Sequence, residues 1–86
     1  MRKWVSSEAH RAAVQLLREQ RELKGLSLRA VSERLGKKHH TYLHKIETGE
    51  RSLDLIDFVA IARAVGVDER ALFDELLRRL PAQIDV

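Results

Sequence analysis

The sequence predicts an all-α domain of five helices, and three observations predict it. Glycines at 25, 36, 49 and 66 each follow an apolar stretch that repeats every three or four residues, where a helix C-cap would stand. Four of the five segments open on Ser or Asp, the residues that best satisfy the free N–H groups of a first turn. No segment alternates with period two or concentrates β-branched residues, so strands are not expected.

The first helix is expected from about Ser7 to Lys24, capped by Ser6 or Ser7, with Ala9, Ala13, Leu16, Leu17 and Leu23 on or near its buried stripe. Gly25 ends it. The second begins after Ser27 and carries Leu28, Val31 and Leu35. Leu26 and Val31 have the spacing of a hydrophobic staple, and Gly36 stops the helix. A third, short helix, about His40 to Thr48, offers only Leu43 and Ile46 to a core, leaving His40, Thr41, His44 and Lys45 outward. The fourth runs from its cap Asp54 to Val65, with Asp57 completing a capping-box-like pair and Leu53 spaced to staple Phe58. The fifth starts at Asp68, with Val67 and Leu72 again in staple positions, and continues to about Leu80, ahead of the single proline, Pro81.

An 86-residue chain, 44% hydrophobic and 34% charged, reads as one folded domain over 1–86 with a single modest core. It has no cysteine, so neither disulfides nor thiolate metal sites are available. No apolar run approaches the roughly 20 residues that cross a bilayer. The start, Met1-Arg2-Lys3-Trp4-Val5, lacks the apolar segment of a signal peptide, so a cytoplasmic protein without a membrane partner is expected. Residues 1–51 carry 12 Lys or Arg against 6 Asp or Glu, and residues 52–86 carry 4 against 7. A basic half on so small a chain suggests a polyanionic partner, because each cation that displaces counterions at a phosphate gains the entropy of their release.

The second and third helices, separated by a glycine-containing turn, form a helix-turn-helix over about 27–49. Ala30 permits close approach of the two helices, Val31 and Leu35 fill the space beneath, and Leu43 with Ile46 anchors the other side. The stretch 39–45 is thereby offered to a major groove, whose base edges carry a distinguishable pattern of donors and acceptors. His40, Thr41, His44 and Lys45 are the candidate base contacts. Candidate phosphate contacts are Lys37, Lys38, His39, Tyr42, Arg51, Ser52 and Arg29, which position without specifying. Tyr42 could equally be a partly buried prop, and Arg29 and Arg34 could be solvated helix charges. Trp4 is expected to cover the core or a dimer contact.

His39, His40 and His44 include positions four apart, the spacing of a zinc-binding helix face. Without cysteine, and with only Glu47 nearby, neither a metal nor another cofactor is expected. No nucleophile and base pair, phosphate loop or paired-carboxylate cleft is present in the pattern, so catalysis is not expected either.

These elements resemble the Cro/C1-type helix-turn-helix family, also called the XRE family, which includes phage repressors. The resemblance covers about 16–73. It rests on Lys24-Gly25-Leu26-Ser27, Leu35-Gly36, Lys45-Ile46-Glu47-Thr48-Gly49-Glu50-Arg51 and Ala62-Arg63-Ala64-Val65-Gly66-Val67. It implies a lambda-repressor-like five-helix domain acting as a bacterial or phage transcriptional regulator. Such a protein would be cytoplasmic, on the nucleoid when bound, and often a homodimer on an inverted repeat. Aligned back from Ile46-Glu47, the base-reading positions again fall on His40, Thr41, His44 and Lys45. The resemblance also implies an ion pair between Arg21 and Glu47.

There are two departures. The glutamine usual after the Ser27 position is Leu28 here, so its phosphate contact is absent or replaced. The stretch from Gly36 to Gly49 is one residue longer than the usual pattern, with the extra residue placed at Lys37 or Lys38. Leu72, Phe73, Leu76, Leu77, Leu80 and Ile84 exceed what a small domain obviously needs to bury and are expected to form a two-fold dimer surface, the alternative being that most of them complete the core. The same leucine-rich end supports an alternative role, an antitoxin or adaptor that grips a protein partner.

Overall fold

Hydroxyl and carboxylate caps set where the chain turns helical in the computed structural model, which describes residues 7–36 and 40–84. The helices are α1 (Glu8–Leu23), α2 (Leu28–Arg34), α3 (Thr41–Thr48), α4 (Leu55–Val65) and α5 (Glu69–Arg79), with no strand among the described residues. Ser7 Oγ accepts from the His10 N–H at 3.2 Å and Ser27 Oγ from the Ala30 N–H at 3.0 Å. Asp54 and Asp57 form a full capping box, each carboxylate accepting from the other's backbone N–H at 2.7 and 3.1 Å. Asp68 caps α5 by accepting from the Arg70 N–H. α4 ends at Gly66, whose φ of 90° is open to glycine at little cost and lets the chain fold back into α5.

α1 packs against α3, α4 and α5; α2 meets α3 and α4; and α4 meets α5. Their shared core is made of Val14, Leu16 and Leu17 from α1, Val31 from α2, Leu43 and Ile46 from α3, Phe58, Ile61, Ala62 and Val65 from α4, and Leu72 and Leu76 from α5. Leu53, just before the Asp54 cap, joins it, and Leu26, Leu28, Leu35 and Val67 pack on its edge. No described helix is long and apolar enough to cross a membrane.

Three expectations need correction. Leu23 is 79% exposed, because in the last turn of α1 it sits beside Glu19 and Glu22 in a shallow surface depression instead of under another helix. Leu72 and Leu76, assigned above to a dimer surface, are buried in the core of a single chain and are not available to a partner. A polar residue, His10, takes a buried place on α1 where small apolar residues were expected. Its Nε2 accepts the Leu53 N–H at 2.9 Å, so the donor of a buried loop amide is satisfied by a side chain 43 residues away.

Cations hold the outer joints. Arg34 donates to the Ala64 carbonyl at 2.9 Å and Lys24 to the Gly66 carbonyl at 3.3 Å. Both therefore neutralise the negative end of α4, where carbonyls lack helical partners. Arg79 makes a bidentate pair with Glu19 at 2.9 and 3.0 Å and also donates to Glu75, fastening α5 to α1. The Arg79 hydrogen bonds hold the Glu19 carboxyl below the usual carboxylate range.

Ser32 is 1% exposed, and its hydroxyl has no hydrogen-bond partner among the described residues. A buried hydroxyl left unpaired carries a desolvation cost that alanine does not, and alanine is also the better helix former. Ser32→Ala should therefore raise stability by about 1 kcal/mol. In urea titration this appears as a higher midpoint at unchanged slope.

Candidate nucleic-acid interface

α3 has two sides of opposite character. Leu43 and Ile46 are buried, at 2% and 1% exposure, whereas His40, Thr41, His44 and Lys45 are all exposed. Thr41, His44, Lys45 and Thr48 fall at the spacing that places side chains on one helical face. That face carries hydroxyls, an imidazole and an ammonium, which between them can donate and accept hydrogen bonds at base edges. His40, at the N-cap, makes no side-chain capping bond.

The position of α3 is fixed by Arg21 and Glu47. Arg21 Nε and Nη2 donate to the two Glu47 carboxylate oxygens at 2.8 and 3.0 Å, while Nη1 donates to the Leu26 carbonyl at 2.8 Å. One guanidinium thus joins the end of α1, the turn into α2 and the end of α3. The side chains are only 12% and 9% exposed, so the planar fork satisfies charges that water barely reaches.

Beyond α3 the backbone is equally constrained. The Glu50 and Arg51 N–H groups both donate to the Lys45 carbonyl, at 2.9 and 3.1 Å, and the Gly49 N–H donates to that of Ile46. Gly49 has φ 82°, and its left-handed conformation is what brings Glu50 and Arg51 back over the helix end. The exposed guanidinium of Arg51 then lies over the Tyr42 ring, 4.9 Å from its centroid. The Tyr42 hydroxyl donates to Asp57 Oδ1 at the start of α4. Burial, then that hydrogen bond, pushes the Tyr42 phenol up to about 12.

The remaining sequence-predicted positions are unevenly placed. Arg29 is exposed on α2, and Ser52 is half-buried in the loop after α3. Lys37, Lys38 and His39 lie outside the described residues, as do Trp4 and the site assigned to the extra residue of the turn. Leu28, which replaces the usual glutamine, packs against the core and so carries no polar group at that place. Sequence reasoning missed the Tyr42–Asp57 link, the Arg51–Tyr42 cation–π contact and the His10–Leu53 bond. Asp57 was visible only through its local capping spacing, and nothing local announces a partner 15 residues away.

The family profile described as Helix-turn-helix (HTH_3) matches residues 17–72. The chain belongs to the XRE, or Cro/C1-type, helix-turn-helix family. An XRE-family-like protein from Pseudomonas syringae pv. tomato str. DC3000 shares the fold at a TM-score of 0.78 and 33% identity, covering 85% of this chain and 88% of that one. The restriction-modification controller protein C.Esp1396I superposes at a TM-score of 0.73 and 18% identity, over 92% of this chain and 96% of its own. The clp gene regulator ClgR from C. glutamicum does so at 0.71 and 23% identity, over 87% and 96%. No curated protein matches the chain. Within this XRE fold, α2 and α3 are the helix-turn-helix.

Two measurements check this geometry. Arg21→Ala and Glu47→Ala should each cost roughly 3 kcal/mol, because each strands a poorly hydrated charge. The double variant should cost less than the sum by about 1–3 kcal/mol in a thermodynamic cycle. Tyr42 is the single tyrosine, so phenolate absorbance reports it alone, and its midpoint in the folded protein should fall near 12. Because the folded value lies above the ordinary 10.0, the stability it contributes is intact below pH 10.0 and is lost as pH rises through about 12.

Proposed function

We propose that this XRE-family protein is a transcriptional regulator that binds double-stranded DNA sequence-specifically, laying α3 in the major groove, and does so without catalysis. One observation carries the reading. The polar row His40, Thr41, His44 and Lys45 is wholly outward on a helix pinned from behind by Leu43, Ile46 and the Arg21–Glu47 pair. A rigid helix about this wide enters a groove roughly 12 Å across. Lys45 would donate to guanine O6 or N7, Thr41 would meet a base edge or thymine methyl, and the histidines would donate or accept by tautomer. Arg51, Ser52 and Arg29, with Lys37, Lys38 and His39 in the turn, would grip phosphates.

The functional form is a homodimer on an inverted repeat. Phe73, Leu77 and Ile84 are 41%, 53% and 45% exposed, and Leu55 and Ile56 on α4 are more open still. Leu55, Phe58, Val59 and Phe73 line a groove between α4 and α5 with Glu69, Arg70 and Asp74 at its rim. A rim of both signs can pair with a copy of itself across a two-fold axis. Two copies of α3 about 34 Å apart would then reach successive turns of one DNA face. The C.Esp1396I controller, solved as a tetramer on its natural 35-base-pair operator, supports operator binding by this fold.

Selection of bound genomic fragments tests the reading and should recover an inverted repeat. On that site Lys45→Ala should weaken binding by 1–3 kcal/mol, roughly five- to 150-fold, and change random-DNA binding little. Lys37→Ala should weaken both and lower the salt slope by about one. Equal losses for both variants on both DNAs would sink the assigned roles. If no sequence is enriched, the adaptor reading gains, with the exposed α4–α5 face gripping a protein partner.

A further inference from the structure

The loop from Gly49 to Asp54 carries Arg51 on a backbone with almost no freedom. The N–H groups of Glu50 and Arg51 are held by the Lys45 carbonyl, that of Leu53 by His10, and that of Asp54 by Asp57. The Arg51 side chain is exposed, and its guanidinium rests against Tyr42. The guanidinium carbon lies 4.9 Å from the ring centroid, close enough for the cation to be attracted by the ring face. A guanidinium held over a ring face keeps N–H groups directed away from the ring, and its fork of donors matches two oxygens of one phosphate. The ring itself is tethered, since the Tyr42 hydroxyl donates to Asp57, whose other carboxylate oxygen accepts from Asp54.

We propose that Tyr42 is a positioning residue for DNA binding: its ring is the platform that presents the Arg51 guanidinium edge-on to a backbone phosphate, and its hydroxyl ties that platform to the start of α4. The proposal rests on the DNA-binding reading and gives Tyr42 a different part in it from a direct phosphate contact. Holding a long side chain in place before binding removes an ordering cost that would otherwise weaken the complex. The ring also belongs to α3, the helix that would read bases, so it sets the distance between a base contact at Lys45 and a phosphate contact at Arg51. Correct seating of the first would place the second.

The experiment is a double-variant cycle on the selected DNA site, with affinity and salt slope measured for folded proteins. Wild type must first bind the site, and absence of binding would remove the DNA-binding reading itself. Given binding, Tyr42→Leu should weaken it by roughly three- to tenfold in the wild-type background and by less than about twofold in the Arg51→Ala background. Its salt slope should move toward that of Arg51→Ala. Tyr42→Phe keeps the ring and should bind within about twofold of wild type while being less stable. Equal losses from Tyr42→Leu with and without Arg51 would overturn the proposal, since they would mark a general structural defect. Should Tyr42→Leu fail to fold, the same cycle with Tyr42→Met, which fills similar space without a ring face, decides: a loss that largely disappears in the Arg51→Ala background supports the platform, and an equal loss in both backgrounds overturns it.

Discussion

An eight-residue helix with two inward side chains cannot hold its own shape in water. Isolated helices shorter than about 12–15 residues are marginal even with favourable composition, and α3 also lacks a side-chain cap at its start. Its order therefore comes from outside. Leu43 and Ile46 supply most of the burial, with the half-buried Tyr42 ring packed beside them, but burial alone leaves a short helix free to roll about its axis. The Glu47–Arg21 fork stops that roll at one end, and the Tyr42–Asp57 bond does so nearer the other. Because these polar ties are directional and burial is not, the angle of the outward face follows from hydrogen-bond geometry more than from packing.

This arrangement changes how the basic half of the chain should be understood. Its excess of Lys and Arg suggested a polyanionic partner, yet several of those cations are engaged inside the molecule. Arg21 is committed to α3, and Arg34 and Lys24 to the carbonyl end of α4. Arg18 lies within ion-pair distance of Glu22 and Glu47. A count of Lys and Arg consequently overstates how many side chains are free to reach a partner, and among the described residues Lys45 and Arg51 are the exposed cations on and just after α3.

What could be read from the sequence was local. Ser27, the Asp54–Asp57 box, Asp68 and the glycine stops act through backbone groups within three or four residues, so their spacing alone locates α2, α4 and α5. Leu43 and Ile46 were likewise legible, because only two apolar residues were available to face inward. Long-range partners were not: His10 looks like a surface residue until Leu53, 43 positions on, arrives with a buried N–H. The leucines of α5 failed for a different reason. Periodicity shows that Leu72, Phe73, Leu76 and Leu77 share a broad stripe, but not how far α1 and α4 reach around it. They cover Leu72 and Leu76 and leave Phe73 and Leu77 outside. The Arg21–Glu47 pair was anticipated only through family resemblance, since nothing in a 26-residue separation predicts it.

Lys45 shows how side-chain chemistry and loop geometry can vary independently on this scaffold. Its side chain points outward, where it can meet a base, while its carbonyl receives the N–H groups of both Glu50 and Arg51. Any residue at 45 that sustains the helix supplies the same carbonyl. Replacing the side chain at 45 therefore changes the chemistry of the outward face without releasing the loop that carries Arg51. The reverse also holds, because the Arg51 side chain is exposed and its removal leaves the backbone bond intact. On the proposed DNA-binding reading, a fold so divided changes its recognition one position at a time while the loop that carries Arg51 keeps its place.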